Sequence, residues 1–415
     1  MTTTIVVIFL VVYLGMILGG LPYVQLGRTG VAVLGAIAMI TVDAVGLREA
    51  AESIHLPTII LLFSFMVISA QMRLGGFYDW VTRRLGALNL SPPQLLAAIM
   101  SVVAGLSAVF SNDIVCLTVA PVLINACESR RLSPVPYLLA LACAANIGSA
   151  ATLIGNPQNM LIGQTLQLSF ARYSAEAVLP VLLGLIATWG LIVWQTRGHW
   201  AQHDQSVVEH WIREERDAET ALDRWQTAKG LVVSAVLVVV FLFAPWPREH
   251  VALTAAGLLL MSRKLHSNKM LGLVDWQLLI LFMGLFVVNY ALQKTGLPAK
   301  LVTDLTALGI DLRQLGPLFL VTFLLSNVVS NVPAVMLLIP LVQHPMGGVV
   351  LALVSTLAGN LLIVGSIANI IVVDAAARRG IRIDWRQHAR VGIPVTLVTL
   401  AISAGYLWLR LRAMG

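Results

Sequence analysis

Long apolar segments alternate with short polar ones along almost the whole chain. A membrane-spanning helix needs about 20 mainly apolar residues, and eight uninterrupted segments approach that length. The first of them lacks the Lys/Arg-rich start of a cleaved signal peptide, so we expect it to remain in the mature protein. The pattern predicts an all-α polytopic membrane protein. The predicted plain spans are residues 5–19, 30–47, 57–73, 176–195, 231–246, 249–262, 276–292 and 391–409.

Four further apolar segments are broken at their centres by polar residues. In residues 93–127 and 315–344 the apolar arm on each side of the break is too short to cross by itself, so we predict two helical hairpins that enter the membrane and turn back. Residues 135–162 and 347–374 are long enough to cross but contain Gly, Asn and other polar residues. We predict that these two are crossing helices with unwound centres.

The interrupted segments occur in two matching sets, which indicates a duplicated chain. Ser111-Asn112 corresponds to Ser330-Asn331 at a numbering offset of 219, and a proline follows each serine at the same distance, Pro121 and Pro340. Gly155 to Asn159 corresponds to Gly365 to Asn369 at an offset of 210. Each half has five crossings, an odd number, so the second is expected to be inverted in the membrane, as in many secondary transporters. The predicted units are a first repeat at 1–196, a cytoplasmic linker at 197–229 and a second repeat at 230–415.

Composition supports a membrane protein and excludes an ordinary soluble enzyme. Residues of the AVILMFWYC set make up 58% of the chain, only 11% are charged, and the mean hydropathy is +0.86. Soluble proteins carry about 25% charged residues, so most of this surface is expected to contact the lipid bilayer. The net charge of +7 is explained by basic cytoplasmic loops rather than by binding of nucleic acid.

Basic residues in short loops predict the orientation. Placing the four basic clusters in the cytoplasm puts both termini outside a bacterial plasma (inner) membrane and the linker inside. His199, His203 and His210 in the linker are irregularly spaced, so a surface helix is a better interpretation than a metal site. The clusters are Arg73, Arg83 and Arg84; Arg130 and Arg131; Arg263, Lys264 and Lys269; and Arg378, Arg379, Arg382, Arg386 and Arg390.

The four interruptions are the candidate binding site. Unwound backbone in the membrane must face protein or water, so the interruptions are expected to meet near the midplane. There, helix carbonyl ends can hold a cation and helix N–H ends an anion. The candidate residues are Ser111, Asn112, Asp113, Asn146, Ser149, Thr152, Gly155, Asn156, Asn159, Ser330, Asn331, Asn360, Gly365, Ser366 and Asn369. Sodium is expected at Ser111, Asn112, Asp113, Asn156, Ser330 and Asn331.

Asp113 is the one acidic residue within an interruption. A carboxylate at membrane depth is costly and usually functional, and the repeat-related residue is Val332. This asymmetry favours a cation or proton role over the alternative, a carboxylate that caps the second hairpin helix. No Arg or Lys lies in any interruption. An anion would therefore be bound by helix ends, amides and a co-bound cation.

The interrupted segments resemble those of the arsenite-efflux permeases, the citrate and divalent-anion/sodium symporters and the sodium/proton antiporters of the ion transporter superfamily. The resemblance implies an elevator, in which a homodimeric scaffold part carries a sliding transport part made of both hairpins and both broken helices. Divalent-anion symporters usually have Ser-Asn-Thr at both tips, and Asp113 and Val332 depart from this pattern. The matching segments are FSNDIVCLTVAPVLINAC (110–127), ANIGSAATLIGNPQNMLIG (145–163), SNVVSNVPAVMLLIPLV (326–342) and GNLLIVGSIANIIVV (359–373).

We therefore expect a secondary active transporter of a small anion or oxyanion, coupled to sodium or protons. The alternative is a sodium/proton antiporter in which Asp113 alternately holds sodium and protons. A passive channel and an intramembrane enzyme are the other classes considered. The sequence contains no HExxH motif and no candidate Ser-His pair, so an enzyme is not expected. No cofactor is expected either.

Overall fold

The protein is described here from a computed structural model that covers residues 1–21, 25–201, 221–262 and 264–414. Within these residues the chain forms 20 α-helices joined mostly by short loops. The strands in this part are β1 (Gly20–Leu21) and β2 (Leu26–Gly27), which pair antiparallel between the first two helices. The fold is therefore α-helical, as predicted.

The first half contains ten helices among the described residues. They are α1 (Thr2–Leu18), α2 (Arg28–Thr41), α3 (Leu47–Ser53), α4 (Leu56–Leu74), α5 (Phe77–Gly86), α6 (Pro92–Val109), α7 (Asn112–Ser129), α8 (Pro134–Ser149), α9 (Pro157–Thr165) and α10 (Phe170–Gln195).

The second half also contains ten helices in the part of the chain that the structure describes. They are α11 (Arg224–Phe243), α12 (Arg248–Leu260), α13 (Ser267–Leu271), α14 (Trp276–Lys294), α15 (Leu297–Ala307), α16 (Leu315–Val329), α17 (Asn331–Leu338), α18 (Gly347–Ala358), α19 (Ile367–Ala377) and α20 (Trp385–Met414). Short 3-10 turns follow α17 at Ile339–Leu341 and precede α19 at Ile363–Gly365.

Each predicted plain span contains a helix, although the lengths differ. The predicted span at 30–47 corresponds to α2, which ends at Thr41 and has 14 residues. Among the described residues, six helices are long and apolar enough to cross a membrane, namely α4, α6, α10, α11, α14 and α20. The predicted span at 249–262 corresponds to α12, which has only 13 residues. At 1.5 Å per residue that is about 20 Å, so α12 is shorter than the hydrocarbon layer.

The first hairpin corrects one prediction. Its arms, α6 and α7, have 18 residues each, or about 27 Å. Since α6 is long and apolar enough to cross a membrane, the expectation that neither arm can cross is wrong for α6. Both helices extend to the polar tip, where Phe110 and Ser111 are the residues between them that are not helical. The second hairpin has arms of 15 and 8 residues in α16 and α17, and its return arm is short, as predicted.

Short helices that the sequence analysis did not separate lie between the spans. Helices α5 and α15 follow α4 and α14, and each begins after a glycine with positive φ, 70° at Gly76 and 72° at Gly296. A left-handed conformation is inexpensive only for glycine, so the chain turns at matching places in both halves. The numbering offset between these glycines is nearly that of the hairpin tips.

The two halves pack through equivalent helix pairs. Helix α2 packs on α14 and α12 packs on α4, while α7 packs on α19 and α17 packs on α9. The closing helices α10 and α20 pack on each other. This exchange of equivalent contacts supports the predicted duplication, whereas the inverted insertion of the second half stays a prediction.

The predicted linker is described only at its ends, and His203 and His210 lie outside the described residues. The Trp200 carbonyl accepts a hydrogen bond from the Ser133 backbone N–H at 2.9 Å, and the Asp223 backbone N–H donates to the Gly75 carbonyl at 3.0 Å. The Asp223 side chain accepts hydrogen bonds from the backbone of Trp225 and Gln226 and caps α11. Helix α11 therefore begins before residue 230.

Candidate substrate and ion site

Two broken helices form the centre of the candidate site. The first break, residues 150–156, separates α8 from α9, and the second break, residues 359–366, separates α18 from α19. Asn156 caps α9 by accepting a hydrogen bond from the Asn159 N–H at 2.9 Å, and Pro157 follows it. A Cβ atom at Gly155 would overlap the Ser149 carbonyl oxygen. Only glycine therefore fits where the chain turns back on α8.

One asparagine in each half satisfies the carbonyls that unwinding releases. The Asn159 Nδ2 donates to the carbonyls of Ser149 at 3.5 Å and Thr152 at 3.0 Å. The Asn369 Nδ2 donates to the carbonyls of Gly359 at 2.8 Å and Leu362 at 3.0 Å. These four carbonyls correspond at the numbering offset of the broken helices. The two asparagines stabilise the unwound backbone, because a carbonyl left unpaired at membrane depth costs several kcal/mol.

Asn146 links the first broken helix to the second. Its Nδ2 donates to Asn360 Oδ1 at 2.9 Å and to Asn369 Oδ1 at 3.1 Å, and its Oδ1 accepts from Ser366 Oγ at 2.8 Å. The Asn112 Nδ2 at the first hairpin tip donates to the same Oδ1 at 3.4 Å. Asn146 therefore joins the first tip to the second break.

The reciprocal link is made by Thr356, which is not among the predicted site residues. Thr356 Oγ1 donates to Asn159 Oδ1 at 3.3 Å and accepts from Asn156 Nδ2 at 3.2 Å and from Gln158 Nε2 at 3.3 Å. Thr356 is the counterpart of Asn146, so applying the offset of the broken helices to Asn146 is the signal that finds it. Asn156 also donates to Ser149 Oγ at 2.9 Å.

The two hairpin tips contact the breaks in different ways. At the first tip, the backbone of Asn112 donates to the Gly155 carbonyl at 3.3 Å, and that of Ser111 donates to Ser69 Oγ at 3.3 Å. At the second tip, Ser330 has a left-handed φ of 77°. A Cβ atom at Gly359 would lie 3.1 Å from the Asn331 Nδ2. All four interruptions therefore meet.

Some candidate residues have roles other than lining the site. Thr152 Oγ1 donates to the Ala108 carbonyl at 2.5 Å and ties the first break to α6. Gly365 packs with its Cα side against Gly359, since a Cβ there would lie 3.2 Å from the Gly359 carbonyl oxygen. Asp113 is partly exposed in the first turn of α7. Described residues donate no hydrogen bond to its carboxylate, so the structure gives the alternative helix-cap role no support.

Five buried oxygens beside the tips find no hydrogen-bond partner among the described residues. One of them, Asn327 Oδ1, has Ala108 as its counterpart, and the other four are matched. They form two repeat-related pairs, Ser107 Oγ with Asn112 Oδ1 and Ser326 Oγ with Asn331 Oδ1. Both pairs follow the numbering offset of the hairpin tips, and neither serine is among the predicted ligands. The Asn360 Nδ2 is likewise buried and unpaired. A buried acceptor without a donor is costly, so a matched set of four is a feature to be explained by function.

Apart from Asp113, the candidate ligands at the site are neutral groups. Among the described residues, no group of three or more His, Cys, Asp or Glu side chains is placed to hold a metal ion. Hydroxyl, amide and carbonyl oxygens are hard ligands, the kind that binds alkali and alkaline-earth cations rather than transition metals. The arrangement can therefore bind a hard cation of low charge and hydrogen-bond a polar solute.

Each closing helix places one buried ring against a break, and neither ring is among the predicted site residues. Tyr173 OH on α10 donates to the Ala150 carbonyl at 2.7 Å, and His388 Nε2 on α20 lies 3.1 Å from the Asn360 carbonyl oxygen. Since a carbonyl only accepts, Nε2 carries the proton. Ala150 and Asn360 are again counterparts at the offset of the broken helices, so the two rings have equivalent positions.

The family model described as citrate transporter matches residues 5–358. This chain belongs to the citrate transporter family. The family consists of transporters, so the predicted transporter class, the membrane location and the superfamily resemblance are confirmed for this family member, and an enzyme is excluded.

Several relatives match this citrate transporter family member along nearly their whole length. The 46 kDa membrane protein of Mycobacterium leprae (strain TN) is 30% identical over 414 residues, covering 94% of this chain and 95% of that protein. The silicon efflux transporter LSI3 of Oryza sativa subsp. japonica is 28% identical over 463 residues, covering 92% of each. The crystal structure of the YdaH transporter of Alcanivorax borkumensis shares the fold, with a TM-score of 0.56, 14% identity and coverage of 99% and 98%.

Proposed function

We propose that this protein is an ion-coupled secondary active transporter of a small anion or oxyanion that works as an elevator in a bacterial inner membrane. The observation that carries the proposal is the matched set of unpaired oxygens, Ser107 with Asn112 and Ser326 with Asn331, beside the amide network of Asn146. The transport part consists of α6–α9 and α16–α19, and the scaffold part of α1, α2, α4, α11, α12 and α14.

Sodium is the coupling ion that these oxygens suit. Each pair combines a serine hydroxyl with an asparagine amide oxygen, both neutral acceptors, next to a helix break that supplies carbonyls. Neutral oxygens can replace the hydration shell of a monovalent cation without burying a fixed opposite charge. Asp113 follows Asn112 in the sequence, and the second tip has no acidic counterpart, so the first site is expected to bind more tightly or to exchange sodium for a proton.

The solute is expected to be small and hydroxylated. No Arg or Lys lies in the interruptions, and the available donors are the Asn360 Nδ2 and the N-terminal N–H groups of α7, α9, α17 and α19. Such groups match the oxygens of a weakly charged oxyanion or its protonated acid better than the charges of a large polycarboxylate. The relative named for silicon efflux supports testing silicic acid together with arsenite, phosphate, sulfate and citrate.

Thermal stability with a ligand panel tests the proposal. Purified protein is heated with sodium or potassium, each alone and with every solute. A ligand at 100 times its dissociation constant stabilises the folded state by about 2.7 kcal/mol. We expect sodium to stabilise the protein and one solute to add to it, and we expect that solute to show counterflow in proteoliposomes. Lack of any sodium effect together with lack of counterflow for every solute would contradict the proposal.

A sodium/proton antiporter is the second candidate, and Asp113 is the observation that favours it. Its carboxylate accepts no hydrogen bond from described residues and lies at one tip but not at the other. In an antiporter, a sodium gradient across proteoliposomes moves protons when no solute is present. In a symporter, sodium moves protons only when the solute is supplied or does not move them at all.

A homodimer formed by the scaffold part belongs to the same proposal. Helices α11 and α12 enclose an apolar groove of 590 Å³ whose walls include Val232, Val236, Val240, Trp246 and Leu258. These side chains are exposed in the single chain, apart from Val240, which is partly buried. A mass measurement in detergent gives twice the chain mass if the proposal holds. The chain mass alone contradicts it.

A further inference from the structure

Two arginines occupy matching positions on the scaffold part. Arg28 is the first residue of α2 and Arg248 is the first residue of α12. Their numbering offset is nearly that of the hairpin tips, and their helices pack in equivalent ways, α2 on α14 and α12 on α4. The two arginines are therefore counterparts in the duplication, at opposite ends of the scaffold in the predicted topology.

Arg248 binds the transport part. Its Nη2 donates to the Gly163 carbonyl at 2.8 Å, near the C-terminal end of α9. The adjacent Glu249 accepts a hydrogen bond from Gln164 Nε2 at 3.3 Å. Residues 157–164 of α9 are all buried, and α9 packs on α4. At this end the scaffold and transport parts are closed against each other, and a cation lies at a helix C-terminus, where it is favourable.

Arg28 instead faces an open crevice. The crevice has a volume of 650 Å³, and its opposite wall includes Val364 and Ile370 from the second break and α19. The Arg28 Nε is buried and has no hydrogen-bond partner among the described residues. Val364 and Ile370 are 54% and 37% exposed, whereas α9, the counterpart of α19, is buried.

The two arginines also lie beside different positions of their partner helices. At the offset of the broken helices the counterpart of Gly163 is Val373, but Arg28 shares its crevice with Ile370 and Val364. Ile370 precedes Val373 by three residues, a rise of about 4.5 Å along a helix. The Arg28 crevice is therefore lined by residues nearer the N-terminus of α19 than the counterpart of Gly163.

We propose that Arg248 and Arg28 are alternating latches that determine which end of the transporter is open. Arg248 holds α9 in the present state, which is open on the side of Arg28, the cytoplasmic side in the predicted topology. When the transport part moves to the other side, the Arg248 contact breaks and Arg28 binds the C-terminal carbonyls of α19 near Val373. This inference rests on the elevator of the proposed function, but it requires no particular solute.

Thiol labelling of two counterpart positions tests the latches. Ile370→Cys, in the open crevice, and Met160→Cys, its buried counterpart, report the two states, and the native Cys116, Cys127 and Cys143 are buried. We expect R248Q to lower Ile370→Cys labelling and raise Met160→Cys labelling, about tenfold in the population ratio. R28Q should change the ratio in the opposite direction. The double variant should lie near the wild type, and R248K should retain the wild-type ratio.

Arg130→Gln is the matched control. The Arg130 guanidinium donates to the carbonyls of Leu88 at 3.1 Å and Leu90 at 2.7 Å, next to the two ends of the first hairpin and not between scaffold and transport parts. It should leave the labelling ratio unchanged. The latch proposal is overturned if R248Q behaves like R130Q, or if R248Q and R28Q change the ratio in the same direction.

Crosslinking provides a test that does not depend on the folding of R248Q. Arg28→Cys with Val373→Cys, in a chain that keeps Arg248, should be joined by a short bis-thiol reagent only when the transport part has moved. Failure to crosslink under conditions that support counterflow overturns the proposal. If R248Q and R28Q change the labelling ratio in opposite directions but no tested solute is transported, the proposed substrate class is refuted and the latch proposal is not.

Discussion

At the first broken helix the residues that face the other half are Asn146 and Asn156, whereas their counterparts at the second are Thr356 and Ser366. The residue that holds the unwound backbone, Asn159 or Asn369, is the same in both. Every unwound membrane helix has to satisfy the same carbonyls, so this position is fixed by the backbone. Under the proposed function the facing positions serve the solute and the coupling ion, which is why they can diverge.

The hairpin tips likewise combine one position that is the same in both halves with one that differs. Asn112 and Asn331 correspond, and both leave an amide oxygen unpaired among the described residues, but Asp113 corresponds to Val332. Charge is therefore the property in which the two tips differ. If both tips bind sodium, the difference means that only the first can exchange it for a proton.

Replacing Asp113 by Asn should have the largest effect on transport. We expect ion-driven or pH-driven accumulation to be lost while the protein still folds, because Asn keeps the shape and removes the charge. In the wild type, cation affinity should weaken as pH falls, since protons compete for the same oxygens. Uptake into proteoliposomes at several pH values measures both effects. Asp304→Asn, on the exposed face of α15, is the control, and unchanged pH dependence in D113N would refute the coupling role.

Gly155→Ala should destabilise the protein much more than Gly365→Ala. A Cβ at Gly155 would overlap the Ser149 carbonyl oxygen and lie 2.7 Å from that of Ser107, while at Gly365 the nearest atom would lie at 3.2 Å. Backbone atoms cannot yield as a side chain can, so we expect G155A to cost about 3 kcal/mol or more and G365A about 1 kcal/mol. Thermal unfolding in detergent measures the difference. Equal melting temperatures of G155A and G365A would show that the backbone of the first break shifts to accommodate the added Cβ.

Asn159→Ala and Asn369→Ala should destabilise the protein to a similar extent, because the two asparagines have equivalent roles in the two breaks. Each variant leaves two carbonyls without their amide donor, and an unsatisfied buried acceptor costs about 1–3 kcal/mol, so we expect both variants to lose about 2–4 kcal/mol of unfolding free energy. Thermal unfolding in detergent measures the loss. Asn268→Ala, on the exposed side of α13, serves as control. A large loss in one variant alone would mean that only one break depends on its asparagine.

How much of this site the sequence predicts depends on whether a residue's partner is local. Apolar segment length predicts the spans, and the repeat predicts which polar residues meet, because both are properties of the chain itself. Thr356, Ser107, Tyr173 and His388 were missed because a single Thr, Ser, Tyr or His in an apolar segment has no distinguishing pattern. Their importance comes from tertiary contacts. The repeat offset finds Thr356 only when Asn146 is already known to matter.

The smallest effects are expected from substitutions of the buried rings on the two closing helices, Tyr173 and His388. Tyr173→Phe removes one hydroxyl that donates to the Ala150 carbonyl and also accepts from Asn159 Nδ2 at 3.2 Å, and we expect a loss of about 1 kcal/mol. His388→Phe removes the corresponding donor to the Asn360 carbonyl and should cost a similar amount. Because the unpaired Asn360 Nδ2 is a proposed donor to the solute, only the His388 variant should weaken solute binding in the thermal-shift panel. If Tyr173→Phe weakens solute binding equally, both rings act through the shape of the breaks, and the divergence of the two halves does not extend to their closing helices.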